Sequence, residues 1–148
     1  MHAFFAVGGL ALSAVLAGAC GGGSQQVPVK GEDSQVVGIA GEWEGEYKGT
    51  DSGRTGPIHF SLGVGRHTAD GTVVMGGQTP LKIQFVSVET GAIKGTMEPY
   101  TDPACSCQVE ATFEGTRDGD RIEGTFTAKM VDSGTEQHGT WGVTRVKE

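Results

Sequence analysis

The sequence predicts an all-β fold: an eight-stranded antiparallel up-and-down barrel that follows a signal peptide and a flexible tether. Three observations carry this. Apolar and polar residues alternate over many short runs, the signature of half-buried strands. Glycine is abundant, with 26 residues against 5 prolines. Beyond the N-terminal apolar stretch, no segment shows helical periodicity.

The strands follow in order. "EWEGEYK" places Trp43, Gly45 and Tyr47 on one face and Glu42, Glu44 and Glu46 on the other. "PIHFSL" aligns Ile58, Phe60 and Leu62. Then come "TVVM", "LKIQFVSV", "AIKGTM", "CQVEATFEG", "RIEGTFTAKM" and "HGTWGVTRV". Turn-like stretches separate the runs, among them "ETG" and "DGD", both hairpin signals. Eight antiparallel strands joined in sequence order read as a meander closed on itself.

The N-terminus reads differently. Ala3 to Leu16 carries no charge and is too short to span a bilayer, which takes about 20 apolar residues. It matches the apolar region of a secretory signal, followed by the small residues Ala17, Gly18 and Ala19. With Cys20 next, "LAGAC" resembles the lipobox of bacterial lipoprotein precursors. That resemblance implies cleavage before Cys20, lipidation of its thiol and acylation of its amine. Ala17-x-Ala19 also suits ordinary signal peptidase, so plain secretion stays open. Residues 1–19 are then the signal, 20–40 a Gly-rich polar tether and 41–148 the barrel. The implied location is the bacterial envelope, anchored by lipid, with the outer membrane facing the periplasm preferred.

Charge excludes one class of partner. All 18 acidic and 11 basic residues follow Cys20, and the net charge is −7. There is no basic footprint for nucleic acid. No cofactor is implied, and neither the glutamates of the first strand nor the pair His59 and Ser61 forms an oriented catalytic set. The chain reads as a non-enzyme. The glutamates read as a water-facing strand surface.

Side-chain parity defines the interior. Trp43, Tyr47, Ile58, Phe60, Leu62, Ile83, Phe85, Ile93, Met97, Val109, Phe113, Ile122, Phe126, Trp141 and Val143 should face in. Gly45, Gly95, Gly115 and Gly124 share that face, which permits tight coiling and leaves volume beside bulky neighbours. A barrel of eight strands is just wide enough to be filled by side chains or to hold one small ligand. Packing and function therefore compete for one space.

Gly41 and Trp43 opening the first strand, with Arg145 near the end of the last, are similar to the G-x-W and terminal basic residue of calycins, especially lipocalins. The match covers these three positions. It implies that Arg145 lies over the Trp43 ring where the barrel closes, and that the interior takes a small apolar molecule. Tyr47, Phe60, Phe113 and Trp141 are the candidate ligand contacts, beneath a mouth formed by loops 49–56, 76–80, 99–107 and 131–137. The alternative is a closed barrel serving as a structural or interaction module of the envelope. In "EPYTDPACSCQ", Cys105 and Cys107 suit a disulfide in an oxidising compartment. Free thiols, or a soft metal short of ligands, are the other readings.

Overall fold

The computed structural model describes residues 26–74 and 80–147. The signal peptide, Cys20, the first residues of the tether and most of loop 76–80 lie outside them. The elements are β1 (Val27–Lys30), α1 (Asp33–Val37), β2 (Gly41–Gly49), β3 (Thr55–Leu62), β4 (Thr68–Val74) and β5 (Pro80–Glu89). They continue with β6 (Ala92–Met97), β7 (Tyr100–Asp102), β8 (Cys107–Asp118), β9 (Arg121–Met130) and β10 (Glu136–Arg145).

The eight expected runs are β2, β3, β4, β5, β6, β8, β9 and β10, each antiparallel to the next in the chain. The circle closes where β10 meets β2, with Arg145 opposite Trp43. At the "ETG" turn, Thr90 and Gly91 both take positive φ, 51° and 78°. This is the twist that a two-residue hairpin between right-twisted strands requires.

A ninth strand completes the wall. β4 and β5 pair over only three positions, from Thr72 with Lys82 to Val74 with Pro80. Where they diverge, β1 slots between them, antiparallel to β4 and parallel to β5. Val27 and Val29 are buried, and Pro28, which lacks an N–H, points outward. This corrects the expected tether. From Val27 onward the chain belongs to the barrel, because Val27 and Val29 alternate and Val36 and Ile39 lie one helical turn apart. All four are at most 3 % exposed. Helix α1 and the turn after it lay that second pair, Val36 and Ile39, across the end of the barrel where β2 begins.

A second correction concerns Phe85. The register of β5 against β6 shifts between Ile83 and Phe85. One extra residue reverses the parity beyond it. Val86 and Val88 turn inward instead, 2 % and 4 % exposed, and Phe85 is only half-buried. The rest of the inward set except Val109, which is buried outside the cluster, packs together, with Phe113, Phe126 and Trp141 partly buried against it. Among the described residues, no helix is long and apolar enough to cross a membrane.

Candidate functional site

The inward glycines and aromatics meet at mid-barrel. Phe113 on β8 and Trp141 on β10 pack edge to face, centroids 5.7 Å apart at 83°. Tyr47 and Phe126 do the same at 5.7 Å and 89°. The rings lie over glycines of other strands. A Cβ on Gly115 would stand 2.7 Å from Cζ2 of Trp141, and one on Gly95 would strike the Phe113 ring. The volume released at Gly95 and Gly115 is taken by the aromatics, whereas Gly45 and Gly124 let the backbone of the adjacent strand approach closely. Trp141 is fixed further by its indole N–H, which is 3.1 Å from both the Glu114 and the Thr125 carbonyl.

Among the described residues these side chains leave an apolar cavity of about 70 Å³. Tyr47, Phe60, Phe113 and Trp141 all line it, so the structure brings the four candidate contacts together. Phe126 and Ile39 line it too. The sequence places Phe126 in the core alone and Ile39 in the tether, so neither stands out there as a cavity residue. No polar surface faces the cavity. An engineered apolar cavity that admits benzene is about 150 Å³, and ordinary ligand pockets span about 300–1,000 Å³.

Both ends are bridged. At the α1 end, Trp43 is 0 % exposed, and its indole N–H donates to the Ile39 carbonyl at 2.9 Å. The Arg145 guanidinium carbon lies 4.3 Å from the centre of the Trp43 ring. At the far end, Arg54 in the β2–β3 turn reaches Asp102 of β7 at 2.7 Å. These segments sit on opposite sides of the barrel, so the pair spans the expected mouth. Asp102 is 4 % exposed, and its second oxygen accepts the Ala104 N–H. Beside it, the Tyr100 phenol is pushed up to about 12, first by burial and then by the Asp102 carboxylate.

Cys105 and Cys107 are joined as a disulfide in the β7–β8 turn, with Cα atoms 5.1 Å apart. On the outside, a shallow groove of about 460 Å³ runs over β6, β8 and β9, between Phe85, Lys94, Thr112 and Thr125. The bulge that turned Phe85 outward supplies one wall, and parity alone concealed it. The donor-rich cluster lies elsewhere, where Glu42, Glu44 and His59 share the outer face of β2 and β3.

In comparisons with known proteins, no family model matches the chain and no characterised protein matches it in sequence.

Proposed function

We propose that this is a lipid-anchored protein of the bacterial envelope whose barrel acts through its outer surface, as a structural or interaction module. The observation that carries this is the filled interior. The aromatics expected to line a pocket occupy it, and about 70 Å³ is left. The anchor rests on "LAGAC" and the Gly-rich residues after it. Two or more acyl chains hold a protein on a membrane where a single chain does so only marginally.

A second reading draws on the same cavity. Its wholly apolar lining has the chemistry of a lipocalin-like site for a small apolar ligand. Such a ligand would have to displace Trp141 or Phe113. One experiment separates the two readings. Mature protein extracted from its own membranes and weighed intact is expected to carry acyl groups on Cys20 and no retained small molecule. A titration with fatty acids, haem and aromatic metabolites should leave tryptophan emission unchanged. An unmodified Cys20 would sink the anchor, and a saturable emission change would replace the surface module with the ligand site.

A further inference from the structure

Three glutamates alternate on the outer face of β2, and like charges crowded on one strand face repel. The register sets His59 of β3 directly opposite Glu44, with Ser61 opposite Glu42. His59 Nε2 lies 2.9 Å from a Glu42 carboxylate oxygen. One donor atom from each of Glu42, Glu44 and His59 falls within 4.8 Å of the other two. Around a zinc-sized ion, donors bound at about 2.0–2.2 Å stand roughly 3–3.5 Å from each other. Small side-chain rotations therefore suffice to close the set.

The backbone beneath these donors is held in place. Trp43, between the two glutamates, is 0 % exposed, and Ile58 and Phe60, on either side of His59, are 8 % and 9 % exposed. Sites built on strands hold their geometry better than sites on loops. Among the described residues no lysine or arginine forms an ion pair with these donors. Among the described residues Glu44 has no ion-pair or side-chain hydrogen-bond partner, and Glu42 has only His59. His138 makes the contrast. Its Nδ1 is 3.5 Å from Asp51 and its Nε2 is 3.9 Å from Glu136. Two acids on opposite ring nitrogens cannot converge on one ion.

We propose that Glu42, Glu44 and His59 form a three-ligand site for a divalent cation of the zinc class, with its remaining coordination positions open to solvent. One imidazole and two carboxylates suit zinc or manganese and do not suit a soft ion such as copper(I). The dication balances two carboxylate charges and relieves the repulsion along β2. The open side leaves room for water, or for a donor from a second molecule. The site stands independently of lipidation at Cys20.

The test is a zinc titration of the full chain near neutral pH, read by competition with a chromophoric chelator, with magnesium in a parallel arm. Stoichiometric zinc uptake is expected. Glu44→Gln and His59→Ala should each weaken it at least about tenfold, and His138→Ala should leave it unchanged. Circular dichroism and melting confirm folding. If His59→Ala fails to fold, Glu44→Gln, which exchanges one exposed oxygen for nitrogen, decides alone. No saturable uptake by wild type, or equal uptake by wild type and Glu44→Gln, would overturn the site.

Discussion

Arg145 stands directly across the β2–β10 ladder from Trp43 and lays its guanidinium over the indole, 4.3 Å from the ring centre. The same side chain donates to the carbonyls of Ala40 and Gly38 just beyond α1, and to Asp120 in the β8–β9 turn. One residue of the last strand thus fastens the first strand of the meander, the helix and a neighbouring hairpin.

Arg145→Ala should therefore destabilise the barrel by roughly 1–3 kcal/mol, combining a lost cation–π contact with carbonyls left without a donor. Arg145→Lys keeps the charge but loses the planar fork, so only part of the stability should return. Urea unfolding followed by tryptophan emission measures both. Wild-type stability in Arg145→Ala would show that the contact is incidental.

The calycin resemblance carried by Gly41, Trp43 and Arg145 implied this closure. Parity agreed with it because Trp43 and Arg145 both sit in alternating runs at the ends of the meander. It did not expose β1. "VPVK" is four residues with a proline, and only the divergence of β4 from β5 gives it somewhere to pair. The β5 bulge was equally hidden, since one inserted residue leaves the composition of the run unchanged while moving Phe85 out and Val86 in. The four candidate contacts were legible as a group. The cavity they leave was not, because an inward glycine beside an aromatic admits either an open space or a ring folded over it. His59 was legible as outward, but its placement opposite Glu44 depends on the length of the β2–β3 turn.

The disulfide prediction concerns the turn before β8. Protein secreted into the periplasm should resist alkylation at Cys105 and Cys107 until it is reduced. Replacing both by serine should cost roughly 1–2 kcal/mol, since so short a loop constrains the unfolded chain little. Two alkylatable thiols in unreduced protein, or bound stoichiometric copper or zinc that the serine variant loses, would contradict the bridge.

Alkaline pH should loosen the far end of the barrel. The Tyr100 phenol is pushed up to about 12 by burial first, then by the Asp102 carboxylate, with Tyr47 adding to the rise and Arg54 opposing it. In the unfolded chain it titrates near 10. The stabilisation is therefore complete below pH 10 and is lost as pH rises through about 12. The difference in tyrosinate absorbance between wild type and Tyr100→Phe isolates this group. Asp102→Asn should lower its midpoint without restoring the ordinary value, because burial remains. A Tyr100 midpoint near 10 in the wild type would refute this account.

The filled interior leaves no room for a side chain at Gly115. A Cβ there would lie 2.7 Å from Cζ2 of Trp141 and 2.7 Å from the Glu123 carbonyl oxygen, so both an indole and a backbone group must yield. Gly115→Ala should destabilise by about 1–3 kcal/mol, the usual range for overpacking. It should also shift tryptophan emission, because moving the ring disturbs the Trp141 bonds to Glu114 and Thr125. Gly142→Ala is the control, on the same strand as Trp141. Its nearest neighbours would be 3.7 Å away, ordinary contact, and its effect should stay within about 0.5 kcal/mol. The indole is then tested directly by combining Gly115→Ala with Trp141→Leu. If the ring is the obstacle, the double variant should lose less stability than the two single losses added together. Strict additivity would assign the cost to the Glu123 backbone instead, and would weaken the argument that glycine positions are filled by aromatic rings.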